Sequence, residues 1–442
     1  MIKLKSFWNY LHSSLWFLPT LIVGLSIILA IVLIEIESSG SGNGFIERTH
    51  LFGSGAQEAR IMLSTIAGSM MSVVGITFSM TVVALALASN QYTSRILRNF
   101  MRNRLTQLVI GFFVGIFTYC LIVLCTIRTS DEGEFVPSMA VFIAFILALG
   151  GVGVLIFFIH HIATSIQASS ILSSVAEETF SVIERLYPEK LKNEISEKDE
   201  NINFKSLGDE SLFPILANEN GYIQSIDLDK LIQIARDKKI IVRLEHKIGG
   251  FVIQNTALVY LVIEQEPAQK TVNLINSVFL FNQQRILEQD VSFGIRQIVD
   301  IALKALSPGI NDTTTAVMCL NYLTAIMVRL ASKKFSPCYH YEDNELRVIT
   351  KDRNFENFLD ESFNQIRENA KENITIILKV LESLRIIATQ TIIPSRLKAL
   401  DKQVRWISEM VRHNIKSLHN RKEINNKIIS FYIVFKNQTA LN

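Results

Sequence analysis

The stretch IMLSTIAGSMMSVVGITFSMTVVALALASNQYTS, Ile61 to Ser94, carries no charged side chain. As an α-helix rising about 1.5 Å per residue it reaches roughly 50 Å, more than a hydrocarbon core of about 30 Å, so it is expected to span a membrane and project beyond it. At about 100° per residue, Ser64, Gly68, Ser72, Gly75, Ser79, Ala86 and Asn90 share one arc, interrupted mainly by Val82. Met70, Val74, Phe78 and Leu85 fall on the other side. A small, hydroxylated face opposite a bulky apolar one predicts lipid on the bulky side and protein or water on the other.

Outward from this stretch the apolar excess stays clustered. The chain has 442 residues, 49% of them hydrophobic and 19% charged, which is long enough for two or three domains and too apolar for a disordered chain. Nearly all of the excess lies before His160, and we divide the chain there. Further spans are expected around the central one, giving four at about 15–35, 61–90, 105–127 and 136–159. The first is longer than a usual signal core and no small-x-small cleavage site follows before Glu35, so it reads as an uncleaved anchor. The loop from Glu35 to Arg60 contains Ser38-Ser39-Gly40-Ser41-Gly42-Asn43-Gly44, flexible by composition.

Lys3 and Lys5 share one side with Arg95, Arg98, Arg102 and Arg104, against Arg48, Arg60 and Arg128 on the other. The positive-inside rule then puts both termini in the cytoplasm. Arg95, Arg98 and Arg102 recur at helical spacing beside Ile96, Leu97, Phe100 and Met101, which fits an amphipathic extension at the anionic leaflet as well as a plain topology signal. The net charge of +3 gives no nucleic-acid footprint. Cys120, Cys125, Cys319 and Cys338 form no CxxC pair, so neither zinc nor a disulfide framework follows.

The second half is expected to be an α+β cytoplasmic domain. Ile162, Ile166, Ile171, Val175, Phe180 and Ile183 predict that the fourth span continues as helix to about Tyr187, and 161–205 ends in a charged linker. His160 and His161, being adjacent, cannot face one site on a helix and read as interfacial side chains. Within 206–265, short strands at Phe213–Leu216, Gly221–Ile223, Ile240–Leu244 and Leu258–Val262 surround a helix at Asp229–Lys238, with Asn218-Glu219-Asn220-Gly221 as a hairpin turn. The phrase Lys247-Ile248-Gly249-Gly250-Phe251-Val252 is similar to the turns of biotinyl-lipoyl barrels but lacks the lysine such a carrier modifies, which leaves a small β-rich module.

Residues 266–420 read as helical. Ile295 to Leu306 is stopped by Ser307-Pro308-Gly309, and Asn311 or Asp312 caps the next helix, Thr314 to Leu330. Arg296 and Asp300 stand at i,i+4 and can pair for about 0.3 to 0.5 kcal/mol if exposed. The SPGIND segment is either an anion cradle of free amides or a helix-turn-helix corner, and no GxxxxGK[ST] loop accompanies it. Asp290, Asp300 and Asp312 are too far apart in sequence to define a cation site. Phe358 to Leu384 and Leu397 to Leu418 predict a helical hairpin about Pro394, and the tail 421–442 has a strand-like run at Ile428 to Phe435.

QDVSFGIRQIVDIALKALSPGINDTTTA, Gln289 to Ala316, and ITFSMTVVALALASNQYTSRILRNFMRNR, Ile76 to Arg104, together resemble the bacterial predicted-membrane-protein family called domain of unknown function 2254. The resemblance implies an integral inner-membrane protein with four amino-terminal spans and a cytoplasmic domain, with no activity to carry over. The residues themselves show no Ser/His/Asp order, HExxH, Walker loop or GxGxxG, so no enzyme, cofactor or metal is predicted. Two readings of function stand. One is a homo-oligomeric channel whose Ser64/Gly68/Ser72/Gly75/Ser79 stripe faces a central axis, with the arginines at its inner mouth favouring anions. The competing reading of the stripe is a close helix contact with no pore, as small-xxx-small faces usually are. The other reading is a membrane-anchored sensor or scaffold that binds a ligand, small ion or protein through its cytoplasmic domain.

Overall fold

A computed structural model describes residues 16–38, 55–91, 104–128, 135–188 and 212–440, apart from Glu264, Glu288, Ser336 and Asp352 and the side chains of 88–91. It forms two compact units, residues 1–170 and 171–442.

The first unit holds four long apolar helices: α1 (Phe17–Ser38), α2 (Ala56–Gln91), α3 (Arg104–Thr126) and α4 (Ser138–Ser165). Helix α3 is the one the others pack on, and its Val109, Phe113, Ile116, Cys120 and Val123 are buried. Close approach of α1 follows from two glycines one turn apart in α3. A Cβ on Gly111 would lie 2.9 Å from Pro19 Cα, and one on Gly115 would lie 2.6 Å from Ser26 Oγ. This Gly-xxx-Gly spacing removes the side chains that would hold two backbones apart. Tyr119, fully buried, ties α3 to α4 by donating to the Ala140 carbonyl at 2.8 Å.

Two charged side chains close helix ends across this unit. Glu37, at the end of α1, accepts from the Met139 and Ala140 amides at the start of α4, at 2.6 and 3.3 Å. Arg60, near the start of α2, donates to the Ile127 carbonyl just beyond α3 at 2.8 Å. An anion at a helix N-terminus and a cation at a C-terminus each satisfy orphan backbone groups and complement the dipole.

The second unit begins within the first turn of α5 (Ala168–Leu186), at Ile171. The expected continuous helix from α4 is broken at Ile166-Gln167: Ile166 ends α4, and the Gln167 amide folds back to the Thr164 carbonyl. Strands and helices then follow as β1 (Leu212–Leu216), β2 (Gly221–Ile226), α6 (Leu228–Lys238), β3 (Ile241–Leu244), β4 (Phe251–Val252), β5 (Ala257–Val262), α7 (Gln269–Asn276) and β6 (Phe279–Asn282). The chain continues through α8 (Val291–Ala305), α9 (Thr313–Ala331), β7 (Tyr339–Glu342), β8 (Glu345–Ile349), α10 (Phe355–Asn369), α11 (Ile374–Ala388), α12 (Pro394–Asn414) and α13 (Leu418–Ala440).

The strands make two sheets, β1-β5-β3-β8-β7 and β4-β2-β6. β1 and β2 belong to different sheets, so the expected hairpin at 218–221 is instead a crossover. Asn220 Oδ1 accepts from the Gln254 amide at 2.8 Å and the Gln254 side chain donates to the Asn218 carbonyl at 2.9 Å, which fastens the crossover to the β4–β5 turn. The β-rich module also reaches past 265: β8 adds to β3 in parallel, with Val242 opposite Val348.

Helices α8 to α12 build the rest of the core. The single amphipathic helix expected from Phe358 to Leu384 is two, because the chain turns at Ala370–Asn373 and Asn373 caps α11 by accepting from the Ile376 amide at 3.2 Å. The tail forms helix α13, not a strand. Ile424 and Phe431 lie seven residues apart on one helical face and are fully buried where α13 packs against α11.

Among the described residues five helices are long and apolar enough to cross a membrane: α1 to α4 and α9. In α9 more than half of the apolar window is already buried within its own unit, a larger share than in any of α1 to α4.

Candidate functional site

The small-residue face of α2 turns away from the core of its own unit. Ser64, Gly68, Ser72, Gly75 and Ser79 are all exposed, and a Cβ added at Gly68 or Gly75 would meet nothing within 4 Å. The face that packs inward carries Ala59, Leu63, Ala67, Met70, Thr77 and Ala84. Met70, expected toward lipid, is therefore buried, whereas Phe78 is 61% exposed on the outer side. In lipid either face of an apolar helix can be outermost, so apolarity alone does not fix which one turns inward.

Four of the outer hydroxyls bond within the helix. Ser64 and Thr65 donate to the Ile61 carbonyl at 3.0 and 2.7 Å, Ser69 to Thr65 at 2.7 Å and Ser72 to Gly68 at 3.0 Å. Each oxygen keeps lone pairs that can accept from water or a neighbouring helix. The side chain of Asn90 and the residues Arg95, Arg98 and Arg102 lie outside the described residues; Arg104 opens α3 and is exposed.

At the SPGIND segment the amides of Ser307, Ile310, Asn311 and Asp312 are engaged internally. Ile310 and Asn311 donate to the Ser307 carbonyl at 3.0 and 2.9 Å, and Asp312 donates to Ala305 at 2.8 Å. Asn311 adopts the left-handed region at φ 49°, a conformation asparagine tolerates better than most other non-glycine residues. Asp312 is the cap: Oδ1 accepts from the Thr315 amide at 3.0 Å and Oδ2 from its hydroxyl at 2.6 Å. Those bonds hold the carboxyl below the usual aspartate range. A carboxylate of the chain itself thus occupies the place an anion would take, and the geometry is that of a structural corner. Ser307 donates to the Lys304 carbonyl at 2.7 Å, while Pro308 and Gly309 form the exposed outside of the turn.

Arg296 and Asp300 do pair, Nε to Oδ1 at 2.7 Å, and Arg296 Nη1 also reaches Gln365 Oε1 at 2.7 Å, which links α8 to α10. Asp290 caps α8 through the Phe293 amide, so Asp290, Asp300 and Asp312 each serve a different local contact.

Sequence reading missed the polar anchor of α5. Lys333, 2% exposed, bonds Glu184 at 2.5 Å, and Arg329 bonds the same carboxylate at 3.4 Å while lying 4.1 Å from the Phe180 ring centroid. Gly294 of α8 faces Thr179 of α5, where a Cβ would stand 2.1 Å from Oγ1. The signal for this in the chain is Gly294 inside a helix, next to its apolar face, a residue that fits where something approaches closely.

Long apolar helices joined to a separate α+β unit define a membrane protein with an appended folded domain. The chain belongs to the DUF2254 family, whose description reads "Predicted membrane protein", with residues 12–385 matched. It is 29% identical over 412 residues to the uncharacterized proteins Mb1321c of Mycobacterium bovis and Rv1290c of Mycobacterium tuberculosis, covering 90% of this chain and 76% of each relative. No solved structure matches.

Proposed function

We propose that α1 to α4 cross the inner membrane with both termini in the cytoplasm, and that the chain works as a homo-oligomeric channel regulated by its second unit. The observation that carries this reading is the uncovered face of α2. Ser64, Gly68, Ser72, Gly75 and Ser79 are exposed in the protomer, and the two glycines open on empty space. A row of hydroxyls and bare backbone can line a water-filled path without fixed charge, and Ile61, Ile76, Val83 and Leu87 beside it are exposed apolar surface for lipid or a neighbouring copy. The lysines of the amino terminus and the arginines at 95–104 support the cytoplasmic side by the positive-inside rule, and Arg104 at the mouth favours anions. Helix α9 is read as a core helix of the second unit.

Purified protein reconstituted in a planar bilayer should conduct, with native mass spectrometry showing more than one copy. Ser72→Leu should lower that current while Met70→Leu, on the buried face, should not. A folded oligomer that passes no current under voltage or tension overturns the channel and leaves the anchored sensor.

A further inference from the structure

Helix α13 buries Ile424 and Phe431, and the side it turns outward is apolar as well. At about 100° per residue, Leu418, Lys422, Asn425, Ile429, Ile433 and Lys436 share one arc opposite the buried pair, and all six are exposed. Leu418, Ile429 and Ile433 are 80%, 57% and 59% exposed, and Tyr432 at the edge of the arc is 36% exposed. A helix that is apolar on both sides calls for a cover on both. The charge on the outward arc has one sign. Lys422 and Lys436 stand seven residues to either side of Ile429. Glu423, the one acidic residue of α13, lies about 120° round the helix, on the same side as Lys427 four residues on. Beside Tyr432, Asp401 of α12 is paired with Arg405 at 2.7 Å and accepts from the Tyr432 hydroxyl at 3.0 Å. Neither carboxylate balances the two lysines.

We propose that this outward face of α13 lies on the anionic surface of the bilayer that holds the chain. A second copy or a lipid surface could cover an apolar helix face, and the lysines decide between them. A symmetric antiparallel pairing of two α13 helices centred on Ile429 would set Lys422 against Lys436 of the partner subunit, and a parallel pairing would set each lysine against its own counterpart. Like charges oppose both arrangements. An anionic leaflet takes the isoleucines and the tyrosine ring at the headgroup boundary and attracts the lysines that flank them. Because α4 runs into α5 after Ile166-Gln167, the chain that carries α13 is tethered to the bilayer, and a patch too small to capture lipid from solution suffices. The proposal rests on the chain being a membrane protein and is independent of conduction.

The test is power-saturation electron paramagnetic resonance on the full chain in nanodiscs, with a nitroxide at Ile433→Cys and with Cys125→Ser and Cys338→Ser removing the exposed native thiols. In discs of mixed phosphatidylcholine and phosphatidylglycerol, oxygen should reach the label more readily than a water-soluble nickel chelate does. The oxygen-to-nickel ratio should fall by about threefold or more in pure phosphatidylcholine discs, and equally in Lys422→Glu/Lys436→Glu in the mixed discs. A second label at Ile429→Cys should behave alike. Preferential access of the nickel chelate in the mixed discs overturns the proposal. So does dipolar broadening between labels that neither reagent reaches, which means that a second copy covers the face. An unchanged ratio in the lysine variant overturns it too, because the lysines then meet no anionic surface.

Discussion

Arg396 reaches from the first turn of α12 to donate to the Lys333 carbonyl at 2.9 Å, beyond the end of a helix more than sixty residues earlier in the chain. The same guanidinium donates to Leu330 at 3.2 Å and Ala331 at 2.9 Å, and it lies near the rings of Phe335 and Phe355 with centroids 4.8 and 5.5 Å away. It is 1% exposed. The carbonyls of Ala331, at the end of α9, and of Lys333, just beyond it, thereby obtain a donor, and that of Leu330 gains one beside its backbone amide partners, from a planar fork that lysine cannot imitate. Because Lys333 also holds Glu184, this corner fixes α5 to α9 and α12 at once.

Arg396→Met should therefore destabilise the second unit by about 2 to 4 kcal/mol, since buried carbonyls lose their partners and the methionine returns only apolar contact. Arg396→Lys should recover less than half of that. Denaturant unfolding of the full protein followed by circular dichroism measures both; a change within 0.5 kcal/mol or so of the native protein, as for a surface substitution, would count against the capping role.

In the first unit the two glycine patterns should respond in opposite ways. Gly115→Val should destabilise α1 packing on α3 by about 1 to 3 kcal/mol or more, because the added atoms meet Ser26 and Ile22. Gly68→Ala in α2 should leave the protomer's thermal stability unchanged or slightly raised, since nothing lies within 4 Å of the new methyl. Thermal melting in detergent distinguishes them.

Asp312 gives the fold a dependence on acid. Hydrogen bonds from the Thr315 hydroxyl and amide lower its pKa in the folded state, so its contribution is fully present above the unfolded aspartate value of about 3.9 and is lost as pH falls through the lower, folded value. Asp312→Asn keeps an N-cap but removes the titration. Its stability should fall less steeply below about pH 4 than that of the native protein, and Asp312→Ala should cost about 1 kcal/mol at neutral pH. Unfolding midpoints measured from pH 7 to pH 3 show the difference.

These sites also show what was legible in the sequence. Ser307-Pro308-Gly309 and Asp312 act on their immediate neighbours, so the α8–α9 corner and the Arg296–Asp300 pair could be read from spacing. Arg396 and Lys333 could not, because their partners lie far along the chain or in another helix. The parallel join of β8 to β3 depends likewise on a pairing across about a hundred residues that no local pattern encodes. The tail misled because Ile428-Ile429 and Ile433-Val434-Phe435 look strand-like as a run, while the deciding feature is the helical interval between Ile424 and Phe431. In α2 the small face lies exposed in the protomer, and the close glycine contacts of this unit are made instead by Gly111 and Gly115 of α3 against α1, a pairing no local pattern in α2 encodes.

The contact between Thr179 and Gly294 offers the sharpest test of how α5 is seated. A methyl on Gly294 would stand 2.1 Å from Thr179 Oγ1 and 3.0 Å from its Cβ and Cγ2, and Thr179 is fully buried with its hydroxyl donating back to Val175 at 2.6 Å. The threonine has little room to turn aside. Gly294→Ala alone should thus cost about 1 to 3 kcal/mol through overpacking, despite alanine's better helix propensity. Combining it with Thr179→Ala removes Oγ1 and Cγ2, so the double variant should be more stable than the sum of the single losses implies, with a coupling of about 1 kcal/mol or more. A double-mutant cycle on denaturant unfolding measures that coupling. Additive losses would mean that α5 and α8 do not touch here, and the anchoring of α5 would then rest on Glu184 with Lys333 and Arg329.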